Sequence, residues 1–353
     1  MNASKSINDP VTLPRCVLVP GAGGAAGIGA IKALRLAGYR GRIVATDCDP
    51  LAPGLELADV GVVVPPAASP EFFRRALEII RSEDVEVILP TSGFDTPMYA
   101  AHEGELHTIG TSVIGCGSYA MQICRDKWLF YERVHGDFPV PRTYQTPPNG
   151  LTFPCFVKPR WGKGSRGAAI CRDRAALDLR LRESEDLLIQ DHLPGAEYSV
   201  DVLADLDGRP LVAVPRLHLV IQERVVVRGQ VLHDEAIEAL CMRLASALRV
   251  KGPVSMQLKC DAAGTPHLLE VNPRMGGGTY FAALAGVNMA ELCLRLAARA
   301  PLPSLSFSEI TVARYFEELV LIGDDRRPPR RSIRTRHGRP TPRSGPLRRN
   351  IGG

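Results

Sequence analysis

Along the first third of the chain, apolar residues fall in short solid runs, separated by stretches where they recur every three or four positions. Cys16–Pro20 (CVLVP) is one such run and reads as a buried strand, and the stretch behind it has helical spacing to about Ala37. Arg42–Asp47 and Val60–Val64 read as further strands. Ser69-Pro70-Glu71 reads as a helix start, with a serine cap, a proline in the first turn and an acid beside it. Phe72, Phe73, Ala76, Leu77 and Ile80 supply the apolar stripe of that helix. Val85–Leu89 is a fourth strand, ahead of a Pro90–Gly93 loop. Strand alternating with helix predicts a doubly wound parallel sheet.

The pattern then changes. Ser118–Val134 has the spacing of one strong helix and carries Asp126-Lys127, and Pro139 and Pro141 close it. From there strands dominate: Phe153–Lys158, Ala168–Cys171, Leu187–Asp191, Glu197–Ala204, Pro210–Arg216 and Glu223–Val227. Asp234 caps a helix through about Arg249, Asn288 caps another, and Glu309–Ile322 is a closing strand region. Val254–Cys260 and His267–Val271 form a hairpin that turns at Asp261–Gly264.

That hairpin carries the densest candidate chemistry. Glu270, Asn272 and Arg274 are two apart, so while the chain stays extended they share a face, and Gln257 on the partner strand reaches the same face. A carboxylate and two amide oxygens suit Mg²⁺, which takes few protein ligands and shares phosphate oxygens. Arg274 offers a planar fork to a phosphate or carboxylate. The plain alternative is a strand end with polar residues in water. A second candidate is the loop Pro159–Gly167, with three glycines, one lysine and two arginines in nine residues. It suits a cover over phosphates, since glycine amides approach closely and the cations supply charge; a solvated turn has the same composition.

Gly23, Gly27 and Gly29 fit G-x-x-x-G-x-G after the first strand, and Asp47 ends the second. Such glycines either admit a pyrophosphate, with Asp47 on a ribose, or make a tight strand-to-helix turn with no cofactor. No tyrosine has a lysine four residues on, as short-chain dehydrogenase chemistry wants, and no G-x-x-x-x-G-K-[ST] loop is present.

Composition adds limits. Nine cysteines without a C-x-x-C pair argue for reduced thiols, against a zinc site or disulfide framework. No window reaches 18 consecutive apolar residues, and the first fifteen residues lack an apolar core, so neither a membrane span nor a secretory signal is expected. The net charge of +5 is misleading. Residues 323–353 hold ten arginines and two aspartates, and without them 33 basic residues face 36 acidic ones. The basicity belongs to a tail that reads as disordered, and nucleic acid is not an expected partner.

Taken in order, the motifs GAGGAAGIGAIKALR (21–35), CRDK (124–127), FVKPRWGKGSRGA (156–168), LIQD with EYSVD (188–201), and Gln257 followed by EVNPRMGGG (270–278) resemble the ATP-grasp superfamily, and within it the carbamoyl-phosphate-synthase-like ligases. The resemblance covers about residues 14–322. It implies an α/β (α+β in the ATP-binding part) ATP-grasp fold. A Rossmann-like pre-ATP-grasp domain would span 14–115, a linker helix and lid subdomain 116–205, a catalytic subdomain 206–322 and a basic tail 323–353.

The resemblance also implies roles. Lys127 and Lys158 would contact ATP phosphates, and Gly162, Lys163, Gly164, Ser165, Arg166 and Gly167 would form the phosphate lid. Gln190 with Asp191, His192 and Leu193 would edge the adenine, and Glu197 would hold the ribose. Glu270, Asn272 and Gln257 would bind Mg²⁺ (or Mn²⁺), and Arg274, with Lys158, would stabilise the transferred phosphate. The implied activity is that of a cytoplasmic, ADP-forming carboxylate–amine ligase acting through an acyl phosphate on small-molecule substrates, with a homodimer as the default assembly. The single ATP-grasp unit contrasts with the two tandem halves that carbamoyl-phosphate synthesis uses. Arg216 and Arg228 are further candidates for a substrate carboxylate. An NAD(P)-dependent oxidoreductase built on the glycine loop and a non-catalytic ATP-binding module are the alternatives.

Overall fold

The structure is a computed structural model that describes residues 12–321 apart from Lys163 and Ser165. The basic tail therefore lies outside the described residues. One compact unit runs to Glu318 and contains every element below.

The solid apolar runs become five strands: β1 (Cys16–Pro20), β2 (Arg42–Asp47), β3 (Val60–Val63), β4 (Val87–Ile88) and β5 (Ser112–Val113). They lie in the order β3-β2-β1-β4-β5, every neighbouring pair parallel. Val17 and Val19 pack on one face against Ala30, Ile31 and Leu34 of the helix Ala25–Leu36. Leu18 and Val44 pack on the other against Phe72, Ile79 and Ile80. Burial on both faces explains runs that do not alternate. The strand order reverses beside β1, which opens a crevice between the loops after β1 and β4.

Two expected helices differ. The helix expected from Ser69 begins at Phe72, because Ser69 accepts the Glu71 and Phe72 N–H groups in a turn of its own. The single helix expected over Ser118–Val134 is two, Ser118–Arg125 and Lys127–Val134. Asp126 between them is extended (φ −108°, ψ 110°), and its carboxylate caps the second by accepting the Trp128 and Leu129 N–H groups.

A four-stranded antiparallel sheet follows: β6 (Thr143–Tyr144), β7 (Cys155–Pro159), β8 (Ala169–Cys171) and β9 (Leu187–Asp191), in the order β6-β9-β7-β8. The third sheet holds β10 (Glu197–Ala204), β11 (Pro210–Gln222), β12 (Val225–Val231), β13 (Gly252–Cys260), β14 (Pro266–Asn272) and β15 (Ile310–Ala313). Its order is β14-β13-β10-β11-β12-β15, antiparallel throughout. Sheet membership thus changes between Asp191 and Glu197, ahead of residue 205 where the sequence reading divides the two parts. Glu223 and Arg224 turn β11 into β12 with φ of 47° and 63°, a conformation that usually calls glycine or asparagine. This is why the sequence shows no turn there and the expected strand begins too early. The closing strand is shorter than the expected Glu309–Ile322.

The helices Thr279–Ala285 and Met289–Ala297 pack Phe281, Ala282, Leu292 and Cys293 into the same core as β1 and the helix Ala25–Leu36. Asn288 caps the second of these, and its amide also donates to Ala33 O at 2.7 Å. The parallel sheet and the six-stranded sheet therefore share one interior. Among the described residues, no single helix is long and apolar enough to cross a membrane.

Candidate active site

β7 and β9 face β10, β13 and β14 across a cleft of about 280 Å³. Lys127, Lys158, Gly162, Gly164, Arg166, Gln190, Asp191, His192, Leu193, Glu197, Gln257 and Glu270 line it. Residues scattered over more than 140 positions of sequence are thus gathered by five strands, the loops beside them and one helix start. Gly167 lies outside the lining, its carbonyl bound by Arg180. Lys163 and Ser165 lie outside the described residues.

The charged floor has a simple local origin. Antiparallel pairing sets Gln257 directly opposite Glu270, and the two-residue period puts Asn272 beside Glu270, its amide donating to Glu270 Oε1 at 3.3 Å. Lys158, on β7, is 7% exposed and donates to Leu269 O at 3.1 Å. Burial pushes its ammonium down to about 8, with Glu270 opposing that shift and Lys127 adding to it. Lys127 donates to Gly162 O at 2.9 Å, and burial lowers it too, against the pull of Glu270 and Asp126. Two ammonium groups, each bonded to a backbone carbonyl, therefore feel the charge of Glu270 in a partly dry cleft, an arrangement short of negative charge.

Arg274 follows the strand end. It donates to Met275 O at 2.7 Å and approaches Asn272 Oδ1 at 3.4 Å. Two more guanidinium groups hold the same loop: Arg314 donates to Gly277 O and Arg216 to Gly278 O. Arg216 is 2% exposed and paired with buried Asp201 at 2.9 Å, and its Cζ lies 2.0 Å from where a side chain on residue 278 would begin, so a larger residue there would displace the guanidinium. Of the two arginines weighed for a substrate carboxylate, Arg216 is thus a buried support of the Arg274 loop. Arg228 is exposed on β12.

At the opposite end of the cleft, Gln190 is buried and its amide donates to Thr143 Oγ1 at 2.7 Å, so that side chain is committed to the β6–β9 pairing. Asp191 pairs with Arg142 at 2.7 Å. Glu197 lies 3.4 Å from His218 Nδ1 and 3.6 Å from Lys259 Nζ, and these hold its carboxyl below the usual range, His218 most. His218 Nε2 in turn hydrogen-bonds to Ser199 Oγ at 2.8 Å. Sequence reasoning missed His218 and Lys259, and it named Asp126 only as a motif residue without a role. Lys259 was within reach, being two residues past Gln257 on the same strand face. His218 was not, because β11 runs six residues beyond its expected end at Arg216.

The glycine loop does different work. Asp47 Oδ2 accepts the Gly23 N–H at 2.7 Å and Oδ1 accepts the Asp49 N–H at 3.0 Å. The Asp47 carboxylate is committed to the loop's own backbone, as the reading of a tight strand-to-helix turn has it.

Residues 183–315 match the family described as ATP-grasp in the biosynthetic pathway with Ter operon, and residues 21–114 match the PylC-like N-terminal domain. The ATP-grasp match thus takes in β9 to β15. Among curated relatives, carbamoyl phosphate synthase large chain of Rubrobacter xylanophilus is 25% identical over 303 residues, which cover 77% of this chain and 28% of that one. The chain thus spans less than a third of the curated relatives it matches. Solved structures share its fold. The biotin carboxylase domain of Hydrogenobacter thermophilus 2-oxoglutarate carboxylase, determined with MgADP, ADP and bicarbonate, superposes with a TM-score of 0.65 at 18% identity, covering 83% of this chain and 71% of that one. The ADP complex of the N5-carboxyaminoimidazole ribonucleotide synthetase purK gives 0.67 at 16% identity, covering 85% and 82%. The glycine loop belongs to the part that matches the PylC-like N-terminal domain, and the cleft lies between the two sheets that follow it.

Proposed function

We propose that the chain is a Mg-ATP-dependent carboxylate–amine ligase that forms an acyl phosphate and releases ADP and phosphate. The observation that carries this reading is the convergence of Lys127, Lys158, Gln257 and Glu270 in one cleft, with Arg274 one loop away. A carboxylate resists amine attack because its leaving group would be oxide; phosphorylation replaces that with phosphate. Phosphoryl transfer asks the protein mainly for positioning and charge neutralisation. In this reading the nucleotide base lies against the Asp191–Leu193 backbone and the ribose on Glu197. Lys127 and Lys158 take phosphate oxygens, and the loop Gly162–Gly167 shields the phosphates from water.

One carboxylate with two amides cannot neutralise a divalent ion alone, and among the described residues no cluster of three His, Cys, Asp or Glu forms a metal cage. The set fits an ion that completes its shell with phosphate oxygens. Glu270, Asn272 and Gln257 would hold that Mg²⁺ (or Mn²⁺), whose charge would draw electron density from the transferring phosphate. Arg274 would then meet the charge that develops on the transferred group.

The test is product analysis with Mg-ATP, a pool of amino and hydroxy carboxylates, and hydroxylamine as trap. ADP and phosphate formed only with a carboxylate, together with a hydroxamate, are the expected products. AMP and pyrophosphate would overturn the mechanism. Lys158→Met and Glu270→Gln are each expected to lower turnover by about 10²–10³, the usual loss for one preorganised charge-stabilising group.

A further inference from the structure

The CRDK segment and the start of the phosphate loop are joined by contacts that the proposed reaction does not require. Asp126 is 5% exposed and grips Arg160 with both oxygens, at 2.8 Å to Nε and 2.5 Å to Nη2. The same carboxylate caps the helix Lys127–Val134 through the Trp128 and Leu129 N–H groups, at 2.9 and 3.2 Å. Arg160 is the first residue after β7, and its own N–H donates to Asp186 O at 2.8 Å. One bidentate pair therefore ties the helix break to the end of the strand that carries Lys158. Lys127 stands next to Asp126, and its ammonium rests on Gly162 O.

We infer that Arg160 is a positioning residue for nucleotide binding. Acting through Asp126, it fixes the break that aims Lys127 into the cleft, and the Lys127 ammonium then exchanges the Gly162 carbonyl for a phosphate oxygen. Three observations support this. A neutral carbonyl is a weak partner for an ammonium that burial already disfavours, so an anionic oxygen displaces it readily. The fork geometry of Arg160 on Asp126 fixes orientation as well as distance, which a lysine at the same place would not do. Asp126 has no apolar reason to be buried; its four contacts are what hold it there.

The inference rests on the nucleotide site proposed above, and the test separates the two. The chain has two tryptophans, Trp128 and Trp161, the first in the opening turn of the capped helix and the second following Arg160, whose guanidinium lies 5.4 Å from the Trp161 ring centroid. MgADP binding is measured by calorimetry and by tryptophan emission on the full chain, with Arg160→Gln, Lys127→Met and the double variant. Arg160→Gln is expected to weaken MgADP binding about tenfold, the scale of one hydrogen bond to a charged group. Lys127→Met is expected to do the same, and the double variant no worse than Lys127→Met alone. Arg160→Lys should restore part of the affinity. Additive losses, or wild-type affinity in Arg160→Gln, would overturn the inference. Should Arg160→Gln not fold, Asp126→Asn keeps an amide oxygen on the Trp128 N–H while weakening the ion pair; unchanged MgADP affinity in that variant would overturn the inference equally. No MgADP binding by the unmutated chain would overturn the nucleotide site itself, and this inference with it.

Discussion

Lys158 is the residue whose chemistry is set most sharply by its surroundings. It is nearly sealed, and burial draws its ammonium from 10.5 to about 8. Only the protonated form can hold a phosphate oxygen. In the free protein that form is lost as pH rises through about 8, so kcat/KM for ATP is expected to fall above that pH. Lys158→Arg should move this limb out of the accessible range, because guanidinium stays charged. Stability has the opposite slope. Between about 8 and 10.5 the unfolded chain keeps the Lys158 proton that the folded chain has released, so the folded state gains over that window. Denaturant midpoints measured across this pH range, with Lys158→Met as the flat control, check the sign. At the residue scale the sequence was informative where chemistry repeats with strand period: Gln257 opposite Glu270 follows from the hairpin alone. It was uninformative where a side chain's partner lies far away in sequence. Asp47 could be read for a ribose or for the turn, and its bond to Gly23, 24 residues earlier, is what favours the turn.

Elements were legible in proportion to how regular their patterns are. Solid apolar runs gave the parallel strands. The break at Asp126 was hidden, because the residues on either side keep helical spacing and the interruption comes from a carboxylate that bonds forward to Trp128 and Leu129. The long β11 was hidden because its turn, Glu223-Arg224, uses no turn residue. The glycine loop shows how one pattern admits both a cofactor site and a packing turn. A Cβ on Gly27 would lie 2.6 Å from Gly21 O and 2.7 Å from Ala22 Cα, both backbone atoms. Gly27→Ala is therefore expected to destabilise the fold by about 1–3 kcal/mol through overpacking, with or without any bound cofactor. A lower Tm with unchanged MgADP affinity in the surviving folded protein is the outcome that separates packing from ligand binding.

At the scale of the molecule, interior is unevenly shared. The four-stranded sheet has a small core of Cys155, Val157, Cys171, Leu177 and Ile189, while the parallel and six-stranded sheets draw on one large core. Residues 143–191 are accordingly expected to exchange amide hydrogens faster than β1, β2 and β13. Saturating nucleotide should slow that exchange, since its proposed ligands span both sides of the cleft. Hydrogen exchange with and without MgADP measures both effects; equal rates in all three sheets would contradict the first.

The shared interior also has a consequence for how the protein is made. The face of Ala25–Leu36 that carries Ala30, Ala33 and Leu34 is covered by Thr279–Ala285 and Met289–Ala297, and Asn288 reaches Ala33 across 255 residues. A ribosome delivers the first of these surfaces long before the second. At about 5–20 residues per second, the earlier surface waits more than ten seconds with its apolar side uncovered. The first hundred residues should therefore be a client of chaperones that scan nascent chains, and a fragment ending near residue 115 should precipitate where the full chain does not.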